Sequence, residues 1–154
     1  MKKQLFLGFA LLLCLITTSC KDDDYTVDMN QLTGKWVSTG YEMYHNGKKM
    51  SPQDFSIDGG VDSYDFAKDG TVTVSSSDFG GVSHQTITGT YQCNYSKKTV
   101  TITYPAIYYT RSEQAQTWEH TLKVTSLTDS QLILSQGDKG NEMHSIFKRV
   151  VQSD

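Results

Sequence analysis

The pattern that most constrains this chain is an alternation with a period of two, which recurs in short runs over residues 34–151. It is clearest over residues 85–95, where Ile87, Tyr91 and Cys93 alternate with threonine, glutamine and asparagine. Successive side chains of a β-strand point to opposite faces, so this period predicts strands with one buried and one solvated face. No stretch combines a period of 3.6 with helix caps. The sequence therefore predicts an all-β domain.

Tight-turn residues divide the alternation into separate strands. Asn46-Gly47 and Asp69-Gly70 are the clearest cases, because such dipeptides accept the positive φ angles of two-residue hairpin turns. About eight antiparallel strands joined mostly by short turns are expected, which favours an eight-stranded up-and-down barrel, with a β-sandwich as the alternative. The predicted strands cover residues 34–44, 63–67, 71–75, 85–95, 99–104, 117–127, 132–135 and 142–151, and a further partner strand begins at residue 48.

Residues 1–19 have the composition of an export signal. Lys2 and Lys3 give the segment a positive start, and residues 17–19 are small. Between them, residues 5–16 form an apolar stretch, which is shorter than the roughly 20 apolar residues needed to span a bilayer. This order of charged, apolar and small residues is typical of a cleaved signal peptide.

Ser19 and Cys20 resemble the cleavage site of bacterial lipoprotein signal peptides, in which a small residue precedes the cysteine that receives the lipid. Thr17 departs from the leucine that is common three residues before that cysteine. The resemblance implies that Cys20 is acylated and anchors the protein in a membrane. Two or more acyl chains hold a protein far more firmly than one, so this anchor would be effectively permanent.

Residues 20–32 are expected to form an acidic linker, with one helical turn near residues 28–32. Lys21 is followed by three aspartates, and this run resembles a short signal that moves lipoproteins of some Gram-negative bacteria to the outer leaflet. The resemblance implies an outer-membrane lipoprotein exposed on the cell surface, with a periplasm-facing location as the alternative.

Composition limits the class of protein further. Without the signal, 135 residues remain, of which 12 are basic and 17 acidic, giving a net charge near −5. This size suits one domain with one core, and the charge argues against binding to nucleic acid. Cys93 is the one cysteine left once Cys20 carries a lipid, so no intramolecular disulfide is expected. Its alternating position predicts a buried structural thiol.

Gly34-Lys35-Trp36 at the start of the first strand resembles the Gly-x-Trp signature of lipocalins. In that family a basic residue of the last strand packs over the tryptophan, and Arg149 is the matching residue here. Such a guanidinium and indole form a favourable cation-π pair. The resemblance covers roughly residues 32–150 and implies a lipocalin-like β-barrel domain over residues 33–151. Full-length lipocalins have a helix after the last strand, and this chain shows no pattern for one.

The orientation of the first strand can be read in two ways. Strict alternation from Trp36 would place Glu42 inside the barrel and Tyr41 and Met43 outside. A β-bulge near Gly40 would reverse the phase and bring Tyr41 and Met43 inside. Both alternatives stay open at this point.

The inward-facing positions of the other strands are mostly large and apolar, so an eight-stranded barrel of this kind is either filled by its side chains or holds one small ligand. The residues predicted to face inward are Tyr64, Phe66, Val72, Val74, Ile87, Tyr91, Val100, Ile102, Tyr104, Trp118, Leu122, Val124, Leu132, Leu134 and Phe147. The predicted ligand-binding residues, in the interior or at the mouth, are Tyr64, Phe66, Tyr91, Tyr104, Tyr108, Trp118 and His120.

Catalytic and metal-binding motifs are absent from the sequence. His120 shares a strand face with Trp118 and Leu122 and could meet a carboxylate such as Glu42 across the barrel. We expect no cofactor and no enzymatic activity. The expected function is binding of a small hydrophobic or amphipathic ligand. The alternative is a non-enzymatic interaction module, such as an accessory subunit of an envelope complex or a protein inhibitor, acting through the barrel loops.

Overall fold

The computed structural model describes residues 27–53, 60–79, 82–105 and 117–151, without the side chains of residues 77–79 and 82–84. This part of the chain contains one short 3₁₀ helix and nine strands. Their bounds are Met29–Leu32 for the helix, then β1 (Gly34–His45), β2 (Lys48–Lys49), β3 (Val61–Phe66), β4 (Thr71–Phe79), β5 (Val82–Asn94), β6 (Thr99–Pro105), β7 (Thr117–Leu127), β8 (Gln131–Asp138) and β9 (Asn141–Arg149).

The strands form a closed antiparallel up-and-down barrel. From β3 to β9 each strand pairs with the next in the sequence, while β1 pairs with β3 on one side and with β9 on the other. The two-residue β2 only extends the tip of β1. Eight strands therefore close on themselves, which confirms the predicted barrel and excludes the sandwich.

The two predicted hairpin turns are present. Asn46 and Gly47 both have positive φ, at 51° and 74°, as a type I′ turn requires. In the second turn, the carboxylate of Asp69 accepts hydrogen bonds from the backbone N–H of Thr71 at 2.9 Å and from its hydroxyl at 2.7 Å. Short-range chemistry therefore sets these strand connections.

A β-bulge in β1 decides its orientation. Ser38 pairs with Phe147, and the next pair joins Gly40 to Ile146, so Thr39 has no partner in the register. The extra residue reverses the alternation. Met43 consequently lies opposite Met143, on the inward face, and the second of the two sequence-based alternatives is the correct one.

The core fills the barrel from the end at which β1 starts and β9 finishes, which we call the base. Trp36 and Phe66 are both fully buried there. Most of the positions predicted to face inward are buried, with two exceptions, Tyr91 and Trp118. The buried members of that set are Tyr64, Phe66, Val72, Val74, Ile87, Val100, Ile102, Tyr104, Leu122, Val124, Leu132, Leu134 and Phe147.

The 3₁₀ helix closes the base of the barrel. Met29 and Leu32 are 3% and 1% exposed, and both belong to the core cluster. Asp28 caps the helix by accepting a hydrogen bond from the N–H of Asn30 at 3.0 Å. This turn therefore packs its apolar side under the barrel.

Cys93 is half-buried rather than fully buried, and it packs against the core. Burial raises the pKa of its thiol. A raised pKa lowers the fraction of thiolate at neutral pH, so this cysteine is a poor nucleophile.

Gly89 provides a test of how tightly the wall packs. It lies beside Tyr104 of β6, and an added Cβ would contact the carbonyl oxygen of Thr103 and lie 2.9 Å from the Cβ of Tyr104. We expect Gly89→Ala to lower the free energy of unfolding by about 1–3 kcal/mol, as overpacking does. Urea unfolding followed by circular dichroism measures this loss. The exposed neighbour Thr88 is the control, and an equal loss in Thr88→Ala would contradict the steric explanation.

Candidate functional site

Among the described residues, the barrel is open at the end opposite the base, where β1 and β6 finish and β7 and β9 begin. Two groups of inward-facing side chains lie at this open end, one on β6 and β7 and the other on β1, β8 and β9. Both groups are assembled by strand register, because antiparallel partners directly opposite each other share a face.

The first group is a stack of three rings, Tyr104, His120 and Trp118, which we call the aromatic ladder. Tyr104 pairs with Trp118, and His120 lies two residues further along β7 on the same face. The centroid of the His120 ring is 5.9 Å from that of Tyr104 and 6.0 Å from that of Trp118, with interplanar angles of 7° and 18°. The rings therefore present nearly parallel faces.

Exposure differs sharply along the ladder. Tyr104 is 8% exposed and belongs to the core, whereas Trp118 is 43% exposed. Trp118 faces inward, as predicted, because it pairs with Tyr104. It is not a core residue, because it lies at the start of β7, at the open end. A partly exposed indole above a buried ring can stack a flat apolar ligand, and the imidazole beside it can form a hydrogen bond.

The second group surrounds a pocket with a volume of about 440 Å³, which we call the rim pocket. Its lining includes Met43, Met50, Gln136 and Met143. The volume lies within the range of about 300–1,000 Å³ that is usual for small-ligand sites. The sequence did not predict this pocket, since its residues converge only if the bulge in β1 is placed correctly.

Three of the predicted ligand-binding residues lie below the open end and fill the barrel. Phe66 is fully buried, and Tyr64 is 7% exposed. Their ring centroids are 5.4 Å apart, and burial raises the pKa of the Tyr64 hydroxyl far above its ordinary value. Tyr91 lies near the base, where its hydroxyl donates to the carbonyl of Ala67 at 2.8 Å. These side chains therefore fill the space that a deep ligand would need.

Other predicted positions lie outside the described residues. Among them are the lipidation site Cys20 and the loop residue Tyr108, as well as most of the loop over residues 105–116.

At the base, Gly34, Trp36 and Arg149 meet as a group that we call the base clasp. The guanidinium carbon of Arg149 lies 4.1 Å from the ring centroid of Trp36. Its nitrogens donate to the carbonyls of Thr33 at 2.7 Å and Asp129 at 2.8 Å, and also to that of Gln31. Gly34 has a φ of +122°, and an added Cβ would lie 2.7 Å from Nη1 of Arg149. Both the conformation and the space therefore favour glycine there.

Glu42 does not meet His120. It lies on the outer face, where its carboxylate accepts hydrogen bonds from Lys49 and, at 3.0 Å, from the Tyr44 hydroxyl. The same cluster includes His144, whose ring centroid is 4.9 Å from that of Tyr44. The bulge in β1 explains this difference, because it turns Glu42 outward.

The pH dependence of this outer cluster is predictable. The hydrogen bond from Lys49 holds the pKa of Glu42 below its ordinary value, so its contribution to stability is present above the unfolded-state pKa and is lost as pH falls through the lower folded-state value. We expect Glu42→Gln to lower the urea midpoint slightly at pH 7 and not at pH 3. Glu119→Gln, at an exposed position, is the control. A difference that persists unchanged at pH 3 would contradict the ion-pair explanation.

Two findings apply to the described residues only. No group of three or more histidine, cysteine, aspartate or glutamate side chains is close enough there to hold a metal ion. In the same residues, no helix has the length and apolar character needed to cross a membrane.

The comparison with protein families agrees with this geometry. The family model of the lipocalin-like domain matches residues 32–134, which is more than half of the 154 residues. The match starts in the 3₁₀ helix and finishes within β8, so Arg149 lies beyond it. No curated protein matches the chain. On the family match and the closed eight-stranded barrel, the chain belongs to the lipocalin-like domain family.

Proposed function

We propose that this protein is a membrane-anchored extracytoplasmic lipoprotein that binds a small hydrophobic or amphipathic ligand at the open end of its barrel. The observation that carries the proposal is the aromatic ladder. Its outermost ring, Trp118, is 43% exposed although it faces inward, whereas the apolar side chains below it are buried. A partly exposed indole offers an apolar face on which a flat ligand can stack.

The filled interior supports a site at the open end rather than deep in the barrel. Trp36, Phe66 and Phe147 are at most 1% exposed, and Leu32 closes the base beneath them. A ligand would therefore enter between the aromatic ladder and the rim pocket. We propose a binding role rather than an enzymatic one, since the sequence contains no recognised catalytic motif.

Ligand binding can be tested with the uncharged fluorescent probe N-phenyl-1-naphthylamine. We expect the full-length chain to bind it with enhanced probe emission, and Trp118→Ala to weaken the affinity about tenfold, the equivalent of one lost stacking contact. Tyr95 is the matched control, since it is 61% exposed and lies by the turn between β5 and β6, at the base end. Equal affinity in Trp118→Ala and Tyr95→Ala would place the probe elsewhere and contradict the proposed site.

The natural ligand can be sought by native mass spectrometry of the acylated protein purified from its own membranes. A reproducible added mass that disappears in Trp118→Ala would identify a bound small molecule. Absence of any added mass, together with a protein partner recovered by crosslinking, would favour the interaction module instead.

The proposal of a membrane anchor is based on the signal in residues 1–19 and on Cys20. We propose acylation of Cys20 and location in the outer membrane on the cell surface, with the periplasmic face as the alternative. Cys20→Ser should release the protein from the membrane fraction. Cleavage by externally added protease in intact cells distinguishes the two faces, and unchanged membrane association of Cys20→Ser would contradict lipidation.

A further inference from the structure

Three methionines form a continuous row across the rim of the barrel. Met43 on β1 pairs with Met143 on β9. On the other side of β1, the register that joins Tyr44 to Lys49 brings Met50 opposite Met43, and the N–H of Met50 donates to the carbonyl of Met43 at 2.8 Å. Directly opposed residues have Cβ atoms about 4.5–5.5 Å apart. Met50 and Met143 therefore each lie next to Met43, on opposite sides of it.

All three side chains lie on one face and line one pocket. Met143 lies on the same face of β9 as the buried Phe147, so Met143 and its partner Met43 face inward. Met50 lies opposite Met43 and shares its face. The three residues line the rim pocket together. Methionine has an unbranched side chain with three rotatable bonds, so the three sulfur atoms can converge from these positions.

Most of the methionines in the chain lie in this row. The sequence contains five methionines, of which Met1 is the initiator and Met29 lies in the base. Every other methionine belongs to the row. Deeper in the same barrel, the inward face uses leucine, isoleucine and valine, for example Leu134 and Ile102. If the rim pocket needed only an apolar lining, leucine, isoleucine or valine would serve equally well.

Thioether sulfur is a neutral, soft ligand that selects soft cations over hard ones. We propose that Met43, Met50 and Met143 form a binding site for a soft monovalent cation, Cu(I) or its redox-inert analogue Ag(I). Each ion is held by sulfur lone pairs without release of a proton, because a thioether carries none at neutral pH. The site is separate from the aromatic ladder and does not depend on the proposed ligand.

The decisive experiment follows the methionine methyl groups directly. The mature protein from residue 20, carrying Cys20→Ser and Cys93→Ser to remove the thiols that would bind Ag(I) more tightly than a thioether, is labelled with ¹³C at the methionine methyls. It is titrated with silver nitrate in chloride-free buffer. We expect the resonances of Met43, Met50 and Met143 to shift together and saturate at one equivalent. That of Met29 should stay in place. A spectrum in which the row does not shift, or in which all four methyls shift alike, would overturn the assignment.

Leucine substitutions separate metal binding from apolar lining, because leucine and methionine have similar volume and hydrophobicity. We expect Met43→Leu and Met143→Leu each to weaken Ag(I) binding by at least about tenfold through loss of one soft ligand. Met29→Leu, outside the row, is the matched control and should bind Ag(I) normally. Unchanged Ag(I) affinity in Met43→Leu would exclude the site, and its dispersed methyl spectrum shows that the variant is folded.

A nearby imidazole could hold the same ion through nitrogen, and a variant distinguishes the two ligand types. His45 also borders the rim pocket. We expect His45→Gln to retain Ag(I) binding. Loss of Ag(I) binding in this variant would assign the ion to nitrogen rather than sulfur and overturn the proposal.

The cation site and the ligand site are also separable by mutation. Trp118→Ala should retain Ag(I) binding although it weakens N-phenyl-1-naphthylamine binding. Failure of one proposal therefore leaves the other testable.

Discussion

Replacing Trp36 by alanine is expected to lower the free energy of unfolding by about 3–5 kcal/mol, the range for truncation of a buried aromatic residue. Trp36 is fully buried, and its indole N–H donates to the carbonyl of Leu32 at 2.8 Å. Its removal also takes away the ring beneath Arg149. Since small domains have only about 5–15 kcal/mol of stability, the variant should lose a large share of it.

The measurement is urea unfolding followed by far-ultraviolet circular dichroism, which does not depend on tryptophan emission. Trp118→Ala is the matched control, because Trp118 is partly exposed and should lose much less. If Trp36→Ala fails to fold, Trp36→Phe keeps an aromatic ring but removes the N–H, and we expect it to lose about 1–3 kcal/mol by leaving the Leu32 carbonyl unpaired. Equal stability of Trp36→Phe and the natural protein would contradict this role for the hydrogen bond.

Arg149→Met is expected to lower the free energy of unfolding by about 2–4 kcal/mol, because it removes charge-assisted hydrogen bonds and a cation-π contact while keeping an apolar stem. Three backbone carbonyls, those of Gln31, Thr33 and Asp129, lose their donor. These acceptors are neutral, so the loss should persist at high salt, unlike that of a surface ion pair.

Two comparisons isolate the contribution of the guanidinium. Arg149→Lys keeps the charge but not the planar arrangement of donors, and should recover only part of the loss. Lys148→Met removes an exposed charge from the neighbouring position and should change stability by no more than about 0.5 kcal/mol. Full recovery in Arg149→Lys would show that charge alone, rather than the base clasp geometry, stabilises this end.

Much of the fold could be predicted because its determinants are local. The alternation of Ile87 and Cys93 with polar residues depends only on the period of a strand, and Asp69-Gly70 sets its turn through neighbouring atoms. The bulge at Thr39 could be suspected from Gly40 but not chosen, since it depends on how β1 pairs with β9, at the far end of the sequence. The burial of the helical turn at Met29–Leu32 could not be predicted, because it depends on the barrel above it.

The candidate site was less predictable for the same reason. Trp118 and His120 could be nominated from one strand, whereas their depth depends on where β7 begins relative to the open end. Tyr64 and Phe66 have the same aromatic character but lie deeper, and periodicity cannot assign depth. The methionine row depends on the pairing of β1 with β9, on the pairing of β1 with β2, and on the bulge in β1. One feature of the sequence did point to it: a bulge near Gly40 would turn Met43 inward.

The pairing of β1 with β9 has a consequence for the timing of folding. Arg149 bonds to Thr33 across 116 positions of sequence, so a chain that emerges from its N-terminus has an unpaired edge on β1 until the last strand is available. Barrels with such distant pairings fold slowly compared with proteins of local topology. Shortening the chain by even the final strand should therefore leave an open, association-prone sheet rather than a smaller barrel.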